Sequence, residues 1–205
     1  MQYTVFDTPV VKTMLRWFSL AYLKVFGWKY EGLVPDLPKY VMIAAPHTSN
    51  WDFPITMFLA FALNIKVYWM GKASIFAGLF GPVMRWLGGI SVDRSRSNNM
   101  VDQTVDVFNS HETLVIIVPP EGTRDKVSYW KTGFYRIAHG AKVPIVLGFV
   151  DYRRKAGGIG PVIFPTGNIE DDMYAIQSYY SGITGKYPEK SSMAVIAPEK
   201  CRKTA

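Results

Sequence analysis

The feature that most constrains the fold is an alternation of short apolar runs with amphipathic segments from residue 40 to residue 183. Apolar runs of about four to eight residues between turn residues are typical of strands, and apolar residues three and four apart are typical of helices. Strands are predicted at Tyr40–Ala45, Val67–Met70, Ile90–Val92, Thr113–Val118, Val143–Val150 and Val162–Phe164. Helices are predicted at Pro54–Leu63, Ser74–Leu87, Asn98–Asn109, Lys131–His139 and Asp171–Ile183. This alternation predicts an α/β fold with a central, mostly parallel sheet flanked by helices.

The length of the chain, 205 residues, favours one domain, because it suffices for one full core and is short for two. No internal repeat, low-complexity run or linker interrupts the sequence. We therefore predict a single domain. Residues 1–30 form an N-terminal helix with its lead-in, and residues 31–205 carry the rest of the fold.

The N-terminal segment Pro9–Phe26 has the pattern of an amphipathic helix with a broad apolar face rich in aromatic residues. Its polar residues Lys12, Arg16, Ser19 and Lys24 fall into one narrower sector, and the segment contains no acidic residue. Such a pattern is typical of a helix that lies in a membrane surface. The alternative is a helix that packs on the core and leaves its basic residues in solvent.

The net charge of +7 favours an anionic partner, either a membrane surface or a nucleic acid. The basic residues do not cluster with aromatic residues in a recognisable nucleic-acid-binding module, so we predict no nucleic-acid partner. No apolar stretch reaches the ~18 residues that a spanning helix needs, and the N-terminus lacks the pattern of a secretory signal. The single cysteine, Cys201, fits a reducing compartment. We expect a peripheral protein on the cytoplasmic face of a membrane.

Three polar segments directly follow predicted strands: Pro46–Asp52, Asp93–Arg94 and Pro119–Arg124. In parallel sheets, ligands gather at the carboxyl ends of the strands. Polar groups at that edge would be unfavourable to bury without partners. The candidate site is therefore predicted at this edge.

The first segment places His47 and Asp52 on either side of a strand-to-helix turn. The carboxylate can then bind one imidazole nitrogen and stabilise the imidazolium, which leaves the other nitrogen as a general base. No G-x-S-x-G motif occurs, Ser49 is too close in sequence to His47, and Cys201 lies near the end of the chain. We therefore expect a substrate hydroxyl to be the nucleophile. Taken alone, His-x4-Asp is a weak pattern that would also suit a surface pair.

The third segment is predicted to expose four groups suited to an anion: the Glu121 carboxylate, the Gly122 amide, the Thr123 hydroxyl and the Arg124 guanidinium. Arginine binds phosphate through two hydrogen bonds, and glycine allows close approach of the backbone. Arg94 would add a second cation. The alternative is an ordinary polar turn with an internal Glu–Arg pair.

Four blocks follow one another in a fixed order: His47-x4-Asp52, Gly89-Ile90-x-x-Asp93-Arg94, Pro120-Glu121-Gly122-Thr123-Arg124 and Val143-Pro144-Ile145-Val146. Together with Lys131-x-Gly133, they resemble the glycerolipid acyltransferase family, and most of all its 1-acylglycerol-3-phosphate acyltransferases.

The resemblance implies an α/β acyltransferase domain over residues 31–205 with a membrane-docking helix before it. His47 would be the general base and Asp52 its orienting carboxylate. The substrate-binding residues would be Arg94, Glu121, Gly122, Thr123, Arg124 and Lys131. The donor would be acyl-CoA or acyl carrier protein, and the acceptor a lysophospholipid, by default 1-acylglycerol-3-phosphate. No metal or organic cofactor is expected.

The blocks depart from the common family pattern, with Pro-His in the first, Val-Pro-Pro-Glu in the third and Leu147-Gly148-Phe149 after the fourth. These departures leave the acceptor open: another lysolipid, transacylation between phospholipids, or hydrolysis by the same two residues would fit. His111 and His139 are predicted to cap helix ends rather than to bind zinc. Residues 153–158 are predicted to form a solvated loop.

Overall fold

A seven-stranded sheet runs through the centre of the protein in the computed structural model, which describes residues 2–92 and 97–198. The strands are β1 Lys29–Glu31, β2 Lys39–Ala45, β3 Tyr68–Lys72, β4 Gly89–Val92, β5 Leu114–Val118, β6 Ile145–Asp151 and β7 Ala156–Ile163. The α-helices are α1 Pro9–Val25, α2 Asp52–Ala62, α3 Ala73–Phe76, α4 Gly81–Trp86, α5 Ser97–Asn109, α6 Gly133–Ala141 and α7 Ile169–Tyr180. Two 3₁₀ turns lie at Val5–Asp7 and Pro188–Lys190.

The strand order is β1-β7-β6-β2-β5-β3-β4, and the five strands from β6 to β4 are parallel. Strand β7 runs antiparallel to β6, and β1 runs parallel to β7. Strand β2 lies between β5 and β6, with Ile43 opposite Val118 and Ala45 opposite Phe149. The prediction of a single α/β domain with a mostly parallel sheet is confirmed.

Both faces of the sheet are covered, which explains why its central strands are almost entirely apolar. Side chains alternate along β2, so Val41 and Ile43 pack on one face and Tyr40 and Met42 on the other. The first face packs against α5, α6 and α7, and the second against α1 and α2. The carboxyl ends of the parallel strands therefore emerge between two helical layers.

The single helix predicted at Ser74–Leu87 is wrong, because the structure has two short helices there, α3 and α4. Pro82 lies in the first turn of α4, where its missing N–H is tolerated. Helix α3 ends at Phe76, whose carbonyl oxygen accepts a hydrogen bond of 3.1 Å from Arg85 Nη2. Between the two helices, Leu79 and Phe80 are strongly exposed.

The solvated loop predicted at residues 153–158 is also wrong in its second half, because Gly157 and Gly158 lie buried in β7. A Cβ on Gly158 would lie 2.1 Å from the Glu31 carbonyl oxygen, and one on Gly157 would lie 2.5 Å from Leu59 Cδ1. Glycine is needed here because β1 and α2 approach the strand too closely for a side chain. The pair of glycines thus belongs to the sheet, which extends to the unpredicted strand β1.

Helix α1 packs against α2 along one side and faces solvent along the other. The buried residues Ser19 and Leu23 mark the packed side, and Tyr22 contacts Phe58 of α2 with ring centroids 4.5 Å apart. Ser19, which the sequence groups with the basic residues in one polar sector, therefore lies on the packed side instead. The outer side is apolar and exposed, and we call it the outer stripe: Val10, Met14, Trp17, Phe18 and Val25. No helix in the described part of the chain is long and apolar enough to cross a membrane.

Candidate active site

A cavity of about 440 Å³ lies at the carboxyl ends of β2, β3 and β5, on the side of the sheet that carries α2. Its polar lining includes His47, Asp52 and the turn after β5. Its apolar lining includes Phe53, Met57, Trp69, Ile75 and Met84. The cavity thus combines a few convergent polar groups with an apolar compartment, which is the usual composition of a ligand site.

His47 and Asp52 meet as the sequence predicts. His47 Nδ1 lies 3.1 Å from Asp52 Oδ2, and the same oxygen accepts hydrogen bonds from the amides of Thr48 at 2.8 Å and Ser49 at 2.9 Å. Asp52 is the first residue of α2, where the helix dipole stabilises a negative charge. These contacts hold the carboxylate against Nδ1 and leave Nε2 as the imidazole nitrogen that can accept a proton.

Tyr152 is a member of the site that no sequence pattern singles out. It follows directly after β6, and its hydroxyl donates a 2.8 Å hydrogen bond to Asp52 Oδ1. Burial, together with the negative charge of Asp52, raises the pKa of Tyr152 well above its ordinary value. The phenol therefore keeps its proton at neutral pH and acts as a donor.

The prediction that Glu121 exposes its carboxylate at a phosphate site is wrong. Its side chain is only 2% exposed, and its Oε1 accepts a 3.2 Å hydrogen bond from the backbone N–H of His47. Burial raises the pKa of Glu121 to about 7, and its Oε2 has no hydrogen-bond partner among the described residues. A buried and partly protonated carboxyl group does not suit a phosphate anion. Glu121 instead holds the backbone that carries His47.

Arg124, by contrast, lies at the cavity as predicted, and so do Gly122 and Thr123. The prediction of a free Gly122 amide is wrong, because this N–H donates a 3.1 Å hydrogen bond to the Pro119 carbonyl oxygen. The Arg124 guanidinium donates to Asn50 Oδ1, a contact that the sequence did not indicate. The alternative of an internal Glu–Arg pair is not what holds Arg124, because Glu121 is turned inward to the His47 backbone. Arg124 and Asn50 therefore form the polar rim of the cavity.

Lys131 lies against the same turn. Its backbone N–H donates a 2.9 Å hydrogen bond to the Pro120 carbonyl oxygen. A Cβ on Gly122 would lie 3.0 Å from Lys131 Cε, so the glycine leaves room for the lysine side chain. Lys72, at the end of β3, adds a further cation to the cavity wall that was not predicted. Arg94 and Asp93 lie outside the described residues, so the role of Arg94 stays a prediction.

The two remaining histidines lie away from the cavity. His111 follows α5, and its Nδ1 is 2.8 Å from the Val107 carbonyl oxygen, which confirms its predicted place at a helix end. His139 lies in the last turn of α6 and stacks on Tyr135. Within residues 2–92 and 97–198, no group of three or more His, Cys, Asp or Glu side chains is arranged to hold a metal.

Comparisons with known proteins agree with this architecture. A family model described as acyltransferase matches residues 32–147, which include His47, Asp52 and the turn after β5. The crystal structure of the 1-acyl-sn-glycerophosphate (LPA) acyltransferase PlsC from Thermotoga maritima is similar, with a TM-score of 0.54. It is 18% identical, and the match covers 81% of this chain and 74% of that one. At this identity the likeness shows a shared fold. No curated protein matches the sequence.

Proposed function

This chain belongs to the acyltransferase family, and on that premise we propose that it moves a fatty acyl group from a thioester to a free lysophospholipid hydroxyl. The reaction we propose converts 1-acylglycerol-3-phosphate to phosphatidate. The observation that carries the proposal is the His47–Asp52 pair at the wall of a cavity that also holds Arg124. The pair supplies a base, and the guanidinium supplies a partner for a phosphate.

The chemistry requires no protein nucleophile. His47 Nε2 takes the proton of the acceptor hydroxyl while its oxygen attacks the thioester carbonyl carbon. The tetrahedral intermediate then collapses: the new C–O ester bond remains, the C–S bond breaks, and the thiolate leaves and receives the proton from the imidazolium. Asp52 stabilises the imidazolium throughout, because its Oδ2 lies against Nδ1. A thiolate is a good leaving group, so direct transfer suffices.

The polar and the apolar parts of the cavity lining support different roles, one for the headgroup and one for the acyl chain. Arg124, Thr123 and Lys131 at the turn after β5 can bind the glycerol phosphate, and Arg94 is proposed to join them. An acyl chain suits the apolar lining, to which α2, α3 and α4 contribute. The donor is proposed to be acyl-CoA or acyl carrier protein, both of which carry phosphate groups that suit a chain of net charge +7.

We further propose that the protein acts as a peripheral protein on the anionic cytoplasmic face of a membrane. The outer stripe of α1 exposes apolar side chains next to the exposed cations Arg16 and Lys24. A second apolar element lies at the α3–α4 turn, where Leu79 is 91% exposed and Phe80 is also exposed. Helices α3 and α4 also line the cavity, so this surface lies beside the site where a lipid acceptor would enter. Exposed apolar patches of this kind mark surfaces that bind membranes or proteins.

The test is an acyl-transfer assay of the purified protein with labelled acyl-CoA, acyl-acyl carrier protein or phospholipid as the acyl donor. The acceptors compared are lysophosphatidate, other lysophospholipids, monoacylglycerol and water alone. We expect the label to appear in phosphatidate and the transfer to depend on His47. Thioester consumption without an acylated product would show a hydrolase instead. Transfer from a phospholipid, with no use of either thioester, would show a transacylase.

A further inference from the structure

The two carboxylate oxygens of Asp52 are held by different parts of the chain. Oδ2 accepts from His47 Nδ1 and from the amides of Thr48 and Ser49, all within the turn after β2. Oδ1 accepts from the Tyr152 hydroxyl at 2.8 Å, a residue that is 100 positions further along the chain. Asp52 is therefore held on one side by local backbone and on the other by a neighbouring strand.

Tyr152 itself is fixed by several contacts. Its backbone N–H donates a 2.9 Å hydrogen bond to the Thr184 carbonyl oxygen, and its ring packs edge-on against Trp28 with centroids 5.2 Å apart. Lys186 Nζ lies 6.0 Å from the centroid of the same ring. Because β6 pairs directly with β2, the hydroxyl reaches Asp52 from a position set by the sheet. Tyr152 does not line the cavity, so it acts on a bound substrate only through Asp52.

We propose that Tyr152 is a positioning residue that fixes the rotation of the Asp52 carboxylate, with Oδ2 against His47 Nδ1, and that it moderates the negative charge on Oδ2; this inference rests on the proposed function. The torsion that turns a carboxylate is soft and has broad minima, so hydrogen bonds to one oxygen alone leave the group free to tilt. A donor on the second oxygen restricts that tilt. It also draws part of the negative charge away from Oδ2, which sets how strongly the carboxylate stabilises the imidazolium.

The competing explanation is that Tyr152 is a purely structural contact between the end of β6 and α2. A structural role and a positioning role predict different effects on the unfolding temperature and on the pH dependence of the rate. Loss of a structural tie lowers the unfolding temperature without altering how the rate depends on pH. Loss of a positioning contact lowers kcat, leaves KM for the acceptor nearly unchanged, and moves the acidic limb of the pH–rate profile. The direction follows from the charge: without the phenol, Oδ2 carries more charge, the imidazolium is more stable, and the limb moves to higher pH.

The experiment compares Tyr152→Phe with the matched variant Tyr180→Phe. The Tyr180 hydroxyl is buried and also donates a short hydrogen bond, at 2.7 Å, but to the Gly148 carbonyl oxygen, away from the pair. We expect Tyr152→Phe to lower kcat by roughly 10-fold, the lower end of the range for a hydrogen bond to a charged group. The midpoint of the His47 ring titration, followed by NMR, should rise, while those of His111 and His139 stay in place. Tyr180→Phe should change the unfolding temperature alone.

Two further variants test the same contact between Tyr152 and Asp52 if Tyr152→Phe folds poorly. A ring-fluorinated tyrosine at position 152 keeps the shape, donates more strongly and should move the acidic limb to lower pH. In an Asp52→Asn background, Tyr152→Phe should have little further effect, because the two residues act through one contact. An unchanged kcat and an unmoved His47 titration in Tyr152→Phe would overturn the inference. The NMR titration needs no substrate, so it still tests Tyr152 if wild type transfers no acyl group and the proposed function fails.

Discussion

His47 is held by two different carboxyl groups, one for its ring and one for its backbone. Asp52 Oδ2 lies against Nδ1, and Glu121 Oε1 accepts from the backbone N–H. The Asp52 contact orients the ring, whereas the Glu121 contact ties the turn after β2 to the turn after β5. The two carboxyl groups therefore differ in function although both lie within the same site.

Replacement of the base should abolish most of the activity. His47→Ala should lower turnover by roughly 10²- to 10⁴-fold, because proton transfer in the transition state is lost. The turnover of Asp52→Asn should lie between those of wild type and His47→Ala, since the imidazole remains but loses its charged partner. Acyl transfer and the unfolding temperature are the measurements.

The matched control for the base is His111→Ala, which alters a helix end after α5 and should leave turnover unchanged. If His47→Ala keeps most of its activity, the pair is not the catalytic centre.

Arg124 should matter only for acceptors that carry a phosphate. Arg124→Ala should lower kcat/KM for lysophosphatidate by about 10- to 150-fold, the loss of a hydrogen bond between charged groups. Arg124→Lys should recover only part of this loss, because an ammonium cannot form the two parallel hydrogen bonds of a guanidinium. The assay compares lysophosphatidate with monoacylglycerol.

Arg136→Ala on α6 is the control for Arg124, since Arg136 is an exposed arginine outside the cavity. Equal losses with both acceptors in Arg124→Ala would make the arginine structural and would contradict a phosphate site at the turn after β5.

Glu121 should make the stability of the protein depend on pH. Burial raises its pKa from 4.5 to about 7, so the folded protein holds a proton that the unfolded chain releases over this interval. Its contribution to stability is therefore largest below about pH 4.5 and falls by on the order of 3 kcal/mol as the pH rises to about 7. Glu121→Gln stays neutral and keeps an acceptor for the His47 N–H. In urea titrations, the free energy of unfolding of Glu121→Gln minus that of wild type should therefore increase between about pH 4 and pH 8.

A difference between Glu121→Gln and wild type that stays constant over this interval would show that the Glu121 carboxyl does not titrate with a raised pKa. Because both proteins share every other titratable group, the comparison isolates position 121.

Helix α1 combines the two structures that its sequence allows. One side packs on α2, as in the docked alternative, and the opposite side carries the outer stripe that a surface helix needs. The spacing of apolar residues alone cannot separate these cases, because both sides of this helix are apolar and only the partner elements determine which one is covered. The proposed membrane contact therefore depends on the outer stripe and not on the packed side.

The outer stripe should determine vesicle binding. Trp17→Ala, which removes a side chain that is 68% exposed, should weaken sedimentation with phosphatidylglycerol-containing vesicles. Reversing Lys12, Arg16 and Lys24 to Glu should weaken it further, since each basic residue near an anionic surface contributes about 1 kcal/mol.

Tyr174→Ala is the control for the outer stripe. Tyr174 is 77% exposed on α7, which packs on the opposite face of the sheet, so its loss should leave vesicle binding unchanged. Unchanged binding in the Trp17 and charge-reversal variants would show that α1 does not contact the membrane.

The site as a whole is assembled from segments that are distant in sequence. The turns after β2, β5 and β6 contribute His47, Glu121 and Tyr152, and they meet because these three strands are neighbours in the sheet. The fourth sequence block, Val143-Pro144-Ile145-Val146, contributes no polar group to the cavity. It leads into β6 and forms its first two residues. The Pro144 carbonyl oxygen, just before the strand, accepts a 3.0 Å hydrogen bond from the Val41 N–H, which sets the position of the strand that leads to Tyr152.

The sequence by itself determined the features that arise from local spacing. The α/β alternation follows from the period of the apolar residues, and the His47–Asp52 contact follows because one short turn brings the two side chains together. Only the tertiary structure decided the burial of Glu121 and the donor on Asp52 Oδ1, contacts that join residues 74 and 100 positions apart. It also decided which side of α1 is covered. A polar residue in a turn has the same local pattern whether it points outward or inward, so its environment is set by the elements that pack around it.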